Sequence, residues 1–383
     1  MYMILTGLRD MAIASGMRVL VRADFDVAIH AGEIVDVSRL EAVLPTIAFL
    51  LERKAKIRLI AHLGRPGGTR SEELSLAPIG HFLSRALGCP VRFSGDPFQE
   101  AQSDADMILF ENLRFWPGEE QNDRAFAKAL ALHGDAYINE AFAVCHRNHA
   151  SIVSLAGLLP AYAGFNLIRE VEALSRVMEH PPRPVVAVFG GVKIETKLPL
   201  IRRFLGDADR VIVGGALANT LFALRGDGVG KSITDMGSTD DLSFLNDAKL
   251  SLPTDVIVAS RLVAGAPSAT RAIGEVQEDE YIADIGPKSQ ERFAEFLNGA
   301  KTVLWNGPMG CAEVPDFARG TIAMAESIRK LNAFTVVGGG DTVAVLRQNN
   351  LLMGFSHVST GGGAMLEFLS GKELPGIEAL RRQ

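Results

Sequence analysis

The sequence predicts an α/β chain of two parallel-sheet lobes, each of three α/β/α layers, joined by a helix. Three observations predict it. Short apolar runs alternate with helical patterns along nearly all of the 383 residues; three prolines within four positions, Pro181, Pro182 and Pro184, interrupt that alternation, which then restarts; and paired glycines stand directly after several of the apolar runs. A chain of this length exceeds one ordinary domain, and strands separated by helices are what a parallel sheet covered on both faces requires.

The first cycle runs from Arg18 to Arg22, a β-branched stretch that leads through Ala-Asp-Phe-Asp into a helix with Leu40, Val43, Leu44, Ile47 and Leu51 at spacings of three and four. The cycle repeats at Ile57–Ala61 with the loop His-Leu-Gly-Arg-Pro-Gly-Gly, at Met107–Phe110 with Glu-Asn-Leu-Arg, and at Tyr137–Asn139 with Glu-Ala-Phe-Ala. Leu167, Val171, Leu174 and Met178 form one stripe of a further helix, which the prolines stop. Beyond them, Val185–Phe189, Val211–Val213, Val256–Ala259, Thr302–Trp305 and Phe334–Val337 read as the strands of a second α/β lobe. Glycine clusters follow at 190–191, 214–215, 338–340 and 361–363. In open parallel sheets ligands bind beyond the carboxyl ends of the strands, where glycine lets amides approach an anion; any one pair alone is equally a simple turn.

Composition narrows the function. With 39 basic and 45 acidic side chains the net charge is −6, balanced along both halves, which disfavours a nucleic-acid partner or a charged tail. Up to residue 166 arginine outnumbers lysine by thirteen to three, a bias suited to planar recognition of carboxylate or phosphate. Cys89, Cys145 and Cys311 are too dispersed for a disulfide framework or a zinc site, so a reducing cytoplasm is expected. The beginning of the sequence does not read as a signal peptide. Ala150–Ile168 lacks charge for about the length of a membrane span, but its glycines, Pro160 and Asn166 argue for a buried junction and against a membrane association.

Familiar nucleotide motifs are missing. No glycine cluster completes G-x-G-x-x-G, and the segment Gly226–Ser232 fails as a phosphate loop because Arg225 stands where its first glycine belongs. The loops nevertheless carry the groups an anionic ligand needs. Arg22, Arg39, His62, Arg65, Arg114 and Arg147 lie in or beside first-half loops, while Lys193 and Lys197 follow Gly190-Gly191 one helical turn apart. Asp341, after three glycines, is placed either to cap a helix or to hold a cation at bound phosphates.

Taken together, Val-Arg-Ala-Asp-Phe-Asp-Val at 21–27, His-Leu-Gly-Arg-Pro at 62–66, Glu-Asn-Leu-Arg-Phe at 111–115, Cys-His-Arg-Asn-His-Ala-Ser at 145–151, Gly-Gly-Val-Lys at 190–193, Asp-Ile-Gly-Pro-Lys at 284–288, Leu-Trp-Asn-Gly-Pro-Met-Gly at 304–310 and Gly-Gly-Gly-Asp-Thr at 338–342 resemble, in order, the phosphoglycerate kinase family. The likeness runs from about Arg18 to Leu380. It implies two Rossmann-like lobes: a phosphoglycerate-binding lobe over 1–165, an interdomain helix and hinge over 166–182, a nucleotide-binding lobe over 183–365, and a tail over 366–383 returning to the first lobe. It further implies a monomeric, cytoplasmic, magnesium-dependent glycolytic enzyme that passes a phosphoryl group between 1,3-bisphosphoglycerate and ADP to give 3-phosphoglycerate and ATP, with small molecules as its only partners.

By the same resemblance, Arg22, Asp24, Phe25, Asp26, His62, Leu63, Gly64, Arg65, Arg114 and Arg147 surround the glycerate substrate, and Arg39 meets the group in flight. Asp24 and Asp26 take the hydroxyl and carboxyl end; Arg114, Arg147, His62 and Arg65 take the phosphate. Gly190, Gly191, Gly214, Asn306, Pro308, Glu313, Gly339 and Thr342 border the nucleotide, with Glu313 accepting from ribose; Lys197 serves its phosphates and Asp341 its magnesium. Lys193, Gly340 and Gly363 join Arg39 in stabilising the transferring phosphoryl. An acyl phosphate carries its own good leaving group, so positioning and charge neutralisation are expected to supply the rate, with lobe closure about the Phe165–Met178 helix.

Several positions depart from the family's pattern. Asp26 replaces an asparagine and adds negative charge beside an anionic substrate; Ala28, Glu140, Ala143, Cys145, Ala216 and Ala312 also differ. Two other readings stay open on these changes: a catalytically weak relative that binds metabolites or partners, and a kinase for another small carboxylate.

Overall fold

The computed structural model describes residues 5–30, 32–98, 103–235 and 242–381. It divides into two compact units, Met1–Glu172 with Lys372–Gln383, and Ala173–Gly371.

The first unit is built on one parallel sheet of six strands. In chain order its elements are β1 (Arg18–Arg22), the short hairpin β2 (Ile29–His30) and β3 (Glu33–Ile34), α1 (Ser38–Glu52), β4 (Lys56–Ile60), α2 (Ala77–Leu87), β5 (Arg92–Ser94), β6 (Met107–Phe110), α3 (Pro117–Glu120), α4 (Arg124–Ala131), β7 (Ala136–Asn139) and β8 (Ala161–Ala163). The sheet order is β5-β6-β4-β1-β7-β8. Arg22 pairs with Ile60 on one side and Asn139 on the other, so the loops after β1, β4 and β7 leave the sheet at one edge. β6 and β7 are buried at every position, as strands covered on both faces must be. In α1 the buried apolar side chains are Leu40, Val43, Ile47 and Leu50, with Thr46 buried beside them, while the expected Leu44 and Leu51 are half-buried; a 3.6-residue period carries the core stripe onto 50.

The segment 150–168 is a buried junction made of a π-helical turn, β8 and the start of α5 (Phe165–Met178). No helix among the described residues is long and apolar enough to cross a membrane. Helix α5 runs through the division at 172/173.

The second unit contains β9 (Val185–Phe189), α6 (Ile194–Asp207), β10 (Arg210–Val213), α7 (Gly215–Arg225), β11 (Leu250–Ser251), β12 (Asp255–Ala259), β13 (Ser268–Ala272), β14 (Tyr281–Ile285), α8 (Pro287–Leu297), β15 (Thr302–Asn306), α9 (Arg319–Arg329), β16 (Phe334–Gly338), α10 (Gly340–Gln348), β17 (His357–Val358) and α11 (Gly362–Leu369). A second six-stranded parallel sheet has the order β11-β10-β9-β15-β16-β17. The strand expected at Val256–Ala259 lies outside it: β12 pairs antiparallel with β13 and β14 in a separate three-stranded sheet. A short β-branched run carries no signal of its pairing direction, and the polar, exposed β13 gives little apolar pattern to read. Helix α12 (Pro375–Arg381) belongs to the first unit, where Gly376 N–H donates to Cys145 O at 2.9 Å.

Candidate functional site

In the first unit the site grows from the loop after β1. Arg22 is fully buried: its Nε donates to Ser151 Oγ at 2.7 Å, Nη1 to Ala23 O at 2.6 Å, and Nη2 lies 3.2 Å from His62 Nδ1 and 3.9 Å from Glu119 Oε1. It is a buried girder behind the loops, turned away from solvent. Phe25 and Leu63 are likewise core residues.

The remaining members converge. Asp24 is buried and receives Arg39 Nη1, from the first turn of α1, at 3.1 Å. Asp26 accepts from Gly64 N–H at 2.9 Å and faces His62 Nε2 at 3.6 Å. Gly64 has φ +61, and an added Cβ would stand 2.7 Å from Leu74, so only glycine fits where the turn brings its amide to Asp26. Arg114 donates to Gly64 O at 2.7 Å and pairs with Glu120 at 3.4 Å. Arg65 and Arg147 are exposed and make no side-chain hydrogen bond or ion pair among the described residues. Thus Asp24, Asp26, Arg39, His62, Gly64 and Arg114 form one connected network, with Arg65 and Arg147 on neighbouring loops.

Charge in this network is unusual. Burial alone would raise the Asp26 carboxyl, but the His62 hydrogen bond and charge, the Gly64 amide and Arg39 outweigh it and hold the group well below the usual carboxylate range. The charge that compensates Asp26 comes from its own network, from His62 and Arg39. Burial, with Arg22 and Arg114 close by, pushes His62 down to about 4 against the pull of Asp26. Since arginine only donates, His62 Nδ1 accepts from Arg22 and its proton sits on Nε2, toward Asp26. His149, also pushed down to about 4 by burial and then by Arg114, Arg22 and Arg147, completes the basic surround; it was legible only as part of the Cys-His-Arg-Asn-His-Ala-Ser run. Glu119, which takes Ser151 N–H and Oγ–H at 2.9 and 2.6 Å, left no signal in the sequence. Glu111 and Asn112 hold the glycine loop from behind: Asn112 donates to Leu63 O and Leu74 O, and Glu111 accepts from the Leu76 and Asn112 amides.

In the second unit a cavity is lined by residues from the loops after β9, β10 and β15 and from α7, among them Gly191, Gly215, Pro308, Glu313 and Asp341. The glycines here interlock loops. Gly190 N–H donates to Asn306 O, Gly191 N–H to Pro308 O and Gly214 N–H to Phe189 O, each at 2.9 Å, and a Cβ on Gly190 would meet Pro308 O at 2.0 Å. These three amides are engaged by the chain itself. The first-turn amides of α10, Gly340, Asp341 and Thr342, have no acceptor among the described residues, and those of Gly362 and Gly363 open α11 in the same way. Asn306 lies near Gly339, whose φ is +101.

Lys197 is buried and donates to Gly190 O; burial outweighs the attraction of Asp341 and, with repulsion from Lys193, brings it down to about 8. Lys193 is exposed at the N-cap of α6. Asp341 is exposed, and Thr342 Oγ1 is buried with no hydrogen-bond partner among the described residues. Among the described residues no group of three acidic, His or Cys side chains could hold a metal alone. One carboxylate beside a helix N-terminus fits magnesium held jointly with nucleotide phosphates. Glu313 is exposed and accepts from the Cys311 thiol at 3.4 Å.

One buried residue here was legible in the sequence only as part of the Asp-Ile-Gly-Pro-Lys run. Asp284 accepts from Gly320 N–H at 2.7 Å and Ile285 N–H at 2.8 Å, and a Cβ on Gly310 or Gly320 would stand 2.3 or 2.4 Å from its Oδ1. It ties the loop after β15 to the start of α9, and burial pushes it up to about 7 despite those amides.

The profile of the family described as phosphoglycerate kinase matches residues 8–372. The phosphoglycerate kinase of Chelativorans sp. is 43% identical over 98% of this chain and 98% of its own, and that of Rubrobacter xylanophilus 44% identical over 97% of each. The solved phosphoglycerate kinase of Coxiella burnetii superposes with a TM-score of 0.88, at 38% identity over 99% of both chains.

Proposed function

This chain belongs to the phosphoglycerate kinase family, and we propose that its first unit holds the glycerate substrate and its second the nucleotide, residue by residue as follows. The reaction is reversible phosphoryl transfer between 1,3-bisphosphoglycerate and ADP, giving 3-phosphoglycerate and ATP, with the substrate's carboxyl group as acceptor in the reverse direction. The observation that carries this reading is the network in which Gly64 hands its amide to Asp26 and its carbonyl to Arg114, because it sets side by side the acid and base that a hydroxylated phospho-carboxylate needs.

Arg65, Arg114 and Arg147 supply cations for the substrate phosphate, with Arg22 as a positioning residue that orients His62. His62 stays neutral at physiological pH and offers its Nε2 proton, so it orients by hydrogen bonding without adding charge. Arg39, tethered by Asp24, is the cation for the phosphoryl in flight on the first unit. On the second, Lys193 is the exposed cation for that group, and Lys197 serves the nucleotide phosphates. The amides opening α10 and α11 accept the charge that spreads onto the phosphoryl oxygens. Magnesium, held at Asp341, neutralises phosphate charge when bound. The carboxylate needs no general base to accept or release phosphoryl, which leaves no covalent role for the chain. Three free cysteines support a reducing cytoplasmic setting, and the family's pattern a monomer.

The test is steady-state ATP consumption with magnesium and 3-phosphoglycerate, coupled to reductive capture of the acyl phosphate. Robust turnover is expected. Lys193→Ala should lower kcat by about 100-fold or more, with KM values changed by only a few-fold, since its charge acts in the transition state. A folded protein that binds ATP without turnover would move the reading to a silent relative, and turnover only with another carboxylate to an altered substrate.

A further inference from the structure

Among the described residues the cavity of the second unit has five polar side chains in its lining, Asn219, Asp284, Cys311, Glu313 and Asp341. Four are accounted for. Asp284 is engaged by two amides, the Cys311 thiol donates to Glu313, and Asp341 stands exposed at the N-terminus of α10. Asn219 differs: it is only 4% exposed, and its Oδ1 has no hydrogen-bond partner among the described residues. A buried carbonyl oxygen left without a donor is rare in a folded chain and marks a place where a ligand's donor belongs.

Its position says which part of the ligand that is. Gly191 and Asp341 mark the polar end of the cavity, beside Lys197 and the amides of α10. Asn219 lies on α7 between Ala216 and Phe222, one turn to either side, and all three residues line the cavity together with Ile233, Leu262 and Ile282. A nucleotide sorts itself along such a cavity, phosphates to the amides and lysine, the planar base to the apolar wall. Asn219 is the polar group embedded in that wall.

We propose that Asn219 determines base specificity, its carboxamide pairing with the amino edge of adenine. A carboxamide offers an acceptor and a donor side by side, which matches the amino group of adenine and its neighbouring ring nitrogen. The inference rests on the reading of this cavity as the nucleotide site, and concerns a residue which that reading does not use.

Equilibrium titration with ATP and with purine riboside triphosphate, the analogue lacking only the 6-amino group, tests it on the wild-type protein and on Asn219→Leu. Wild type should bind ATP about tenfold more tightly than the analogue. Asn219→Leu should bind both alike, at about the wild-type protein's affinity for the analogue, so that the difference disappears in the double comparison. Equal binding of the two nucleotides by wild type overturns the proposal without needing the variant, and so does a tenfold preference that survives in a folded Asn219→Leu. Loss of turnover with the binding preference intact would count against the kinase reading alone.

Discussion

His62 Nε2 lies 3.6 Å from Asp26 Oδ2 while its Nδ1 accepts from Arg22 at 3.2 Å, so one neutral imidazole bridges a half-buried acid to a fully buried base. The arrangement keeps Asp26 ionised throughout the physiological range, so the network carries a fixed negative charge. Asp26→Asn should remove that repulsion while retaining the bond from Gly64. We expect KM for 3-phosphoglycerate to fall about three- to tenfold with kcat nearly constant, the scale of one partly solvated charge pair. A rise in KM would show that the acid makes a favourable contact with the substrate hydroxyl.

The arginines of the first unit should separate into two kinds. Arg22→Met leaves Glu119 buried without its cation, and breaking such a pair costs about 3–5 kcal/mol, read as a clear loss of thermal midpoint. Arg65→Ala and Arg147→Ala, whose guanidinium groups are exposed and unbonded among the described residues, should leave the midpoint unchanged and raise KM for 3-phosphoglycerate at least tenfold. If Arg22→Met melts like wild type, the buried girder is not holding the loops.

Glu140 gives a prediction in pH. Its carboxylate accepts from Asn166 N–H at 2.8 Å and Leu167 N–H at 3.1 Å at the start of α5, and from the Thr46 hydroxyl, yet burial pushes it up to about 7. Between about 4.5 and 7 the folded chain keeps a proton that the unfolded chain has lost, so this group's contribution to stability falls as pH rises through that window and is level above it. His62 and His149, held near 4 against an ordinary 6.5, act with the opposite sign, losing stability as pH drops from about 6.5 to 4. Glu140→Gln resembles the protonated acid, so its thermal midpoint should match wild type at pH 5 and exceed it at pH 8. Parallel pH profiles for the two proteins would contradict the assignment.

Removal of magnesium separates chemistry from fold. No described cluster of ligands holds a cation unaided, so chelation should abolish turnover while leaving the melting curve of the nucleotide-free protein unmoved. Asp341→Asn should raise the magnesium concentration needed for half-maximal rate about tenfold or more. A melting shift on chelation alone would reveal a resident metal site.

Much of this was legible in the sequence, because parallel strands buried on both faces are short, apolar and punctuated by loops. β6 and β9 fall at the expected residues, and β4, β7 and β10 begin one residue earlier. What the sequence hid has physical causes. The direction in which β12 pairs is a property of its neighbours, and β13 has too few apolar residues to announce itself. The inward turn of Arg22 follows from Ser151 and Glu119, more than ninety residues away, and no local pattern encodes it. Asn219 and Asp284 look like any helix or strand polar residue until burial and missing or crowded partners single them out.

The return of α12 bears on how the chain is made. Gly376 packs so closely on Cys145 and Ile152 that an added Cβ would meet Ile152 at 2.7 Å, and its amide caps Cys145 O. A ribosome therefore delivers every residue of the second unit before it delivers the piece that finishes the first. Residues 173–371 can collapse on emergence, whereas the older half of the nascent polypeptide keeps an uncovered apolar seat until residue 376 and its neighbours have cleared the exit tunnel. The half that is begun first is the half completed last.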